Sequence, residues 1–347
     1  MYRIKLNGIK DKYDFNELIK IFLRPDQYEV LTEDDPENGE KHEKAELIEI
    51  NENRSTDKNA VKREIYRKLS LITGKRPPWG ILTGVRPVKL AGEIVRASAG
   101  DENAPAILQE EYLLSEEKSN LLTDIYGYQQ RVLDRASDKS TGVYIGIPFC
   151  PTRCLYCSFT SNQKGPEDIE SYLSALFKEI EYCGQGMKDS GVWAETIYIG
   201  GGTPTTLTAQ QLNRLLEKIS QCFDLYRVTE FTVEAGRPDT ISEEKLDVIK
   251  NHGIRRISIN PQTMKDETLK LIGREHSAVE IREAFETAKK CGGFIINADL
   301  IAGLPGETPE DFESSLREVI SLDPSNITVH TLAVKKASRL IEADEDF

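Results

Sequence analysis

The stretch Tyr144-Ile145-Gly146-Ile147-Pro148-Phe149-Cys150-Pro151-Thr152-Arg153-Cys154-Leu155-Tyr156-Cys157-Ser158-Phe159 joins an alternating apolar run to a loop that holds three of the six cysteines in the chain. The run at 143–148 reads as a β-strand, which places the thiols just past a strand end. The spacing Cys150-x3-Cys154-x2-Cys157 allows three thiolates from one loop to ligate three irons of a [4Fe-4S] cube, leaving the fourth iron open. An open position is what a catalytic metal site needs. A zinc site or incidental thiols are the alternatives, and zinc would usually take a fourth Cys or His nearby. Cys183, Cys222 and Cys291 are scattered on helical stretches and read as core or inert surface thiols.

Working outward, β-rich runs at 143–148, 196–199, 230–234, 256–260, 294–300 and 327–331 alternate with helical stretches at 169–187, 209–223, 243–251, 266–272, 278–291 and 309–321. Thr208, Ser242 and Thr308 supply cap signals. Such an alternation implies a parallel sheet with right-handed crossovers. A doubly wound sheet and an incomplete barrel both fit the count, but every unusual cluster follows a strand. The cysteines follow the first strand and Gly200-Gly201-Gly202-Thr203-Pro204-Thr205 the second. Glu234, Asn260-Pro261-Gln262, Asp299 and His330 close the others. In a barrel these ends converge on one mouth, whereas in a doubly wound sheet they spread along an edge. Convergence favours the barrel.

Toward the N-terminus the pattern is that of a smaller α+β domain over 1–140, with the second domain over 141–347. Strands are expected at 2–6, 28–31 and 45–50, with a polar loop at 32–44. Helices are expected at 14–23 and 57–73, the latter capped by Asp57 and stopped by Gly74. Another opens at Ser115, in the capping-box-like Ser-Glu-Glu-Lys.

Composition bounds the function. The 347 residues carry 45 Lys+Arg against 58 Asp+Glu, a net charge of −13, which argues against a nonspecific grip on nucleic acid or anionic lipid. No apolar run approaches the ~20 residues of a membrane helix. The start lacks a signal-like apolar core, so a cytoplasmic protein with reduced thiols is expected.

The 144–159 stretch resembles the cluster loop of radical S-adenosylmethionine (SAM) enzymes, and more narrowly the oxygen-independent coproporphyrinogen III oxidase superfamily. Gly200-Gly201-Gly202-Thr203-Pro204-Thr205, Arg256-Ile257-Ser258-Ile259-Asn260-Pro261-Gln262 and Asp299-Leu300-Ile301-Ala302-Gly303-Leu304-Pro305-Gly306-Glu307-Thr308 match further segments in order, over about 140–335. The segments at 79–90 and 329–340 resemble the HemZ-type coproporphyrinogen dehydrogenase branch. The resemblance implies a partial (β/α)6 barrel, with a [4Fe-4S] cluster on Cys150, Cys154 and Cys157 and SAM chelating the open iron. Tyr156 would contact SAM and Tyr144 would lie close to it. Gly201 and Gly202, with Thr203 beside them, would let the backbone approach its methionine moiety. Glu234, Gln262, Arg274 and Asp299 match SAM-binding positions. His330 reads equally as a barrel residue or a substrate contact, and Arg86 and Lys89 as a solvated basic pair.

Two positions depart from the best-studied oxidases: Phe159 stands where they have a fourth cysteine, and Gly146 where they have His. The Cys-x-Phe form also occurs in the haem-chaperone relatives. The family usually continues into a C-terminal substrate-covering domain, which is expected to be absent from this chain. The implied function is oxidative decarboxylation of coproporphyrinogen III propionates to vinyl groups in haem biosynthesis, with an external electron donor. A haem-binding chaperone or another radical SAM reaction on a tetrapyrrole is the alternative.

Overall fold

The computed structural model describes residues 1–7, 9, 12–32, 46–50, 57–83, 86–98, 103–334 and 338–340. Most of the 32–44 loop, and residues 84–85 and 335–337 of the two branch-specific segments, lie outside them. The backbone divides into two units, Met1–Ala136 and Ser137–Phe347.

In the first unit, strands β1 (Tyr2–Leu6), β2 (Tyr28–Leu31) and β3 (Glu46–Ile50) pair in parallel in the order β2-β1-β3. Helices α1 (Tyr13–Ile19), α2 (Lys58–Thr73), α3 (Pro87–Ala97), α4 (Ala104–Tyr112) and α5 (Glu116–Leu133) complete it. Ile4, Leu6, Phe15, Leu18, Ile65 and Leu69 are buried together. The Asp57 side chain caps α2 by accepting from Asn59 N, Gly74 ends it in the left-handed region (φ 70°), and Ser115 caps α5. One expectation needs correction. Helix α1 ends at Ile19 although apolar spacing continues, because Phe22 and Leu23 are buried from the turn that follows it. Helices α3 and α4 add to the expected elements, and the residues preceding them, Arg86 and Asn103, make no side-chain cap.

The second unit is built on six parallel strands: β4 (Ser140–Ile147), β5 (Trp193–Gly201), β6 (Glu230–Glu234), β7 (Arg256–Gln262), β8 (Ile295–Ala302) and β9 (Asn326–Thr331). Helices α6 (Pro166–Asp189), α7 (Ala209–Cys222), α8 (Glu243–Asn251), α9 (Asp266–Leu271), α10 (Ala278–Cys291) and α11 (Pro309–Ser321) connect them. The spatial order is β4-β5-β6-β7-β8-β9, the same as the chain order. A doubly wound sheet reverses its order at a switch point. Here right-handed crossovers never reverse, so all helices fall on one face and the sheet curls around the other. The result is an α/β partial barrel.

Strand alternation then sorts the two faces. Ile145, Ile147, Ile197, Ile199, Val233, Ile257, Ile259, Ala298 and Leu300 are buried in the core shared with the helices. Their alternates, Tyr144, Tyr198, Thr232, Glu234, Ser258, Asn260, Asn297, Asp299 and Thr328, face an inner cavity. Thr208, Ser242 and Thr308 cap α7, α8 and α11 through their side chains.

Candidate radical SAM centre

At the mouth of the barrel, the loop after β4 is closed at its base by Cys150 N donating to Asn162 O (3.1 Å) and Asn162 N to Pro148 O (2.8 Å). Leu155 N donates to Ile272 O (2.9 Å), fixing the loop against the segment after α9. Cys150, Cys154 and Cys157 all line one cavity of about 640 Å³, within the range that small-molecule and cofactor sites occupy. Tyr144, Tyr156, Gly201, Gly202, Thr203, Glu234, Gln262, Arg274 and Asp299 line it too, as does His330. Cys183, Cys222 and Cys291 do not. Lys89 lies exposed beside Glu93 at 3.8 Å, and Arg86 is exposed at the start of α3.

Gly200 is buried because its missing Cβ leaves room for the Tyr198 ring and the Glu234 carboxylate, which a methyl would meet at 2.8 and 3.0 Å. At Gly201 (φ 114°) a Cβ would stand 3.0 Å from Ile147 backbone, and at Gly202 it would stand 2.6 Å from Phe149 O and 2.9 Å from Cys150 Sγ. The nearest need for these glycines is thus internal. They let β5 close against the strand that leads into the cysteine loop, and Gly201 and Gly202 border the cavity as well.

The carboxylates have distinct settings. Glu234 accepts from Tyr198 Oη at 2.5 Å, and burial raises its pKa, with Asp299 adding to the rise and the Tyr198 bond opposing it. Tyr198 stacks on Tyr144, with ring centroids 5.9 Å apart. Asp299 accepts from Asn297 Nδ2 (2.7 Å). Burial pushes the Cys150 and Cys157 thiols up, so metal binding there must expel protons.

Arg274 is 6% exposed and donates to Tyr156 Oη (3.1 and 3.3 Å) and to Asn260 O (2.6 Å). Among the described residues no carboxylate pairs with it, so a buried cation faces the cavity with neutral partners only. Gln262 follows an irregularity in the β7–β8 register and has φ 69°, costly for a side-chain-bearing residue. Its Oε1, Asn260 Oδ1 and Ser258 Oγ are buried without a hydrogen-bond partner.

Tyr198, Arg237 and His276 are absent from the sequence-based set. The alternation of Tyr198 with Ile197 and Ile199 was the signal available for the first; no local pattern marks the other two.

Residues 144–319 match the family model of the radical SAM superfamily, and the chain belongs to that superfamily. It is 43% identical over 289 residues to the oxygen-independent coproporphyrinogen-III oxidase-like protein HemZ of Bacillus subtilis (strain 168), covering 82% of this chain and 58% of that one. It is 38% identical over 195 residues to the heme chaperone HemW of the same organism, covering 55% and 50%. Among solved structures, coproporphyrinogen III oxidase (HemN) from Escherichia coli, a radical SAM enzyme, superposes with a TM-score of 0.53 at 27% identity, covering 62% of this chain and 54% of that one. The chain spans about half the length of the curated relatives it matches.

A superfamily member uses a [4Fe-4S] cluster and SAM, and the cavity suits both. Zinc bonds sulfur at ~2.3 Å, so its ligands must gather within about 5 Å of one another. The three thiols border one space, the cavity at the barrel mouth. In a [4Fe-4S] cluster each thiolate takes a different iron, so three thiols bordering one cavity fit such a group. The unneutralised Arg274 guanidinium fits the net negative charge of a thiolate-bound cluster or a carboxylate. The unpartnered acceptors of β7 fit a polar ligand.

Proposed function

We propose that this chain is a radical SAM enzyme acting on a tetrapyrrole, and that it converts propionate side chains of coproporphyrinogen III to vinyl groups. The observation that carries the reading is the single cavity in which three thiols, Glu234, Asp299 and the uncompensated Arg274 meet. The likeness to HemZ over most of the chain supports the substrate class.

When bound, the cluster and SAM supply the means to remove a hydrogen atom from an unactivated carbon. In this reading Cys150, Cys154 and Cys157 hold three irons. Glu234 and Asp299 accept hydrogen bonds from hydroxyl or ammonium groups of SAM. Gln262 offers its Oε1 as a further acceptor, and Arg274 meets the carboxylate. Tyr144 and Tyr156, with Gly201, Gly202 and Thr203, line the same cavity and would contact the cofactor there. The propionate loses a β-hydrogen, then its carboxyl as carbon dioxide, with one electron passing to an external acceptor; two propionates react in turn. All six cysteines are free thiols, which supports a cytoplasmic setting. Among the described residues no helix is long and apolar enough to cross a membrane.

A second reading, haem binding without decarboxylation, draws on the likeness to HemW and on Phe159, which stands 67% exposed at the cavity rim. One experiment separates the two. Anaerobically reconstituted protein is incubated with SAM, a reductant and coproporphyrinogen III, and the tetrapyrrole is analysed by mass. Loss of one or two carboxyl groups supports the enzyme. An unchanged tetrapyrrole, together with stoichiometric haem binding, replaces it with the chaperone.

A further inference from the structure

Residues 150–157 form a short loop whose one backbone bond within itself, among the described residues, is Cys157 N to Cys154 O (3.2 Å). What holds it lies outside. On one side are the Leu155–Ile272 bond and a longer one from Thr152 Oγ1 to Gly273 O (3.4 Å). On the other is Arg237, from the segment after β6 and only 3% exposed. Its Nη1 donates to Thr152 Oγ1 (2.5 Å) and to Thr152 O (3.3 Å). Its remaining edge meets Asp239 in two parallel bonds, Nε to Oδ1 and Nη2 to Oδ2, both 2.9 Å.

The chain of contacts continues behind the loop. His276 Nδ1 lies 3.4 Å from Asp239 Oδ1 without hydrogen-bond geometry, and His276 Nε2 lies 3.5 Å from Arg274 Nη1. Arg274 in turn grips the Tyr156 hydroxyl. Two buried arginines, bridged by Asp239 and His276, therefore hold Thr152 and Tyr156, the residues two places before and two places after Cys154.

We propose that Arg237 is a positioning residue for the cluster: fixed by Asp239, it clamps Thr152 and so sets the three-residue spacer between Cys150 and Cys154. Only a guanidinium can do both jobs at once, since the fork on Asp239 leaves one nitrogen free to reach the loop; a lysine ammonium has no such fixed geometry. Asp239 also neutralises Arg237, so its contribution is geometric. The charge that faces the cofactor without an acidic partner is that of Arg274. A loop held in this way presents its thiols in one arrangement before iron arrives, and the ordering cost does not fall on cluster assembly. The inference rests on the cluster alone and is independent of the tetrapyrrole reading.

The test uses the full chain with Arg237→Gln, Arg237→Lys and Thr152→Val. Two quantities are followed: the rate of anaerobic cluster assembly from ferrous iron and sulfide, and the electron paramagnetic resonance spectrum of the reduced cluster. Both Arg237 variants should assemble about tenfold more slowly, as expected when one charge-assisted hydrogen bond is lost, and give a broadened, heterogeneous spectrum. Thr152→Val leaves the Arg237–Asp239 pair intact and should show the same change in smaller degree, so it decides the matter if the Arg237 variants do not fold. A lowered unfolding midpoint with native assembly rate and native spectrum would mean a structural role only and would overturn the proposal. Full rescue by Arg237→Lys would overturn it too, because charge and not the fork would then be what matters.

Discussion

Replacing Gly202 by Ala should damage the cluster site, while the same exchange at Gly186 should stabilise the fold. At Gly202 the new methyl would stand 2.6 Å from Phe149 O and 2.9 Å from Cys150 Sγ. Neither neighbour is the free end of a flexible side chain. Gly202 N donates to Ile147 O and Thr203 N to Phe149 O, each at 2.8 Å, so relief requires breaking this pairing or displacing Cys150. Overpacking of this kind costs about 1–3 kcal/mol. For a unit of this size ~2 kcal/mol corresponds to a fall in Tm of roughly 4–8 °C. Gly186 lies in α6, exposed, with nothing within 4 Å of its added Cβ, so Ala there should gain about 0.5–1 kcal/mol. Thermal unfolding of the apo protein and iron content after anaerobic reconstitution are the assays. Wild-type stability and full iron loading in Gly202→Ala would refute the claim that the glycine run is required by the cysteine strand it packs against.

Alanine at any of Cys150, Cys154 or Cys157 should abolish the cluster, whereas alanine at Cys183, Cys222 or Cys291 should leave iron content unchanged by chemical iron assay. Glu234→Ala and Asp299→Ala should each weaken SAM binding about ten- to hundred-fold with iron content intact, as loss of a charge-assisted hydrogen bond implies; native affinity of both by anaerobic calorimetry would remove them from the pocket. The His276 ring beside it and the bidentate Arg237 guanidinium hold the Asp239 carboxyl far below the usual carboxylate range against the cost of its burial. A depressed pKa contributes stability that is present above about pH 4 and lost as the pH falls below it. Asp239→Asn should therefore flatten the acid limb of the stability–pH curve, and an unchanged limb would show that Asp239 is not the group titrating there.

What the sequence revealed follows from where its signals are local. Side-chain caps are written within four residues, so Asp57, Ser115, Thr208, Ser242 and Thr308 announce their helices. Helices α3 and α4 begin at Pro87 and Ala104 without such a bond, and Pro87 and Pro105 in their first turns are the local signals they carry. The β-rich run at 196–199 is only the middle of strand β5, Trp193–Gly201, because pairing with β4 from Ser140 onward extends it beyond its most apolar residues. The cysteine loop was legible because metal chemistry dictates its spacing. The pairings around it were not. Arg237 reaches Thr152 across 85 positions, Arg274 reaches Tyr156 across 118, and Tyr198 reaches Glu234 across 36.

The same contrast explains why the lumen carries the chemistry. In this partial barrel the helices cover the outer strand face, which is apolar, while the inner face borders a cavity and is not filled by core side chains. The inner face is free to hold Glu234, Asp299, Ser258 and Asn260, at a cost in desolvation that shows in the raised pKa of Glu234 and in unpartnered oxygens on β7. Core packing accounts for Ile197, Val233, Ile257 and Ala298 without reference to any ligand. It does not account for a buried guanidinium lacking an acidic partner beside three free thiols. A buried cation without an acidic partner is costly, and a negatively charged ligand at the barrel mouth would supply the partner that the protein does not.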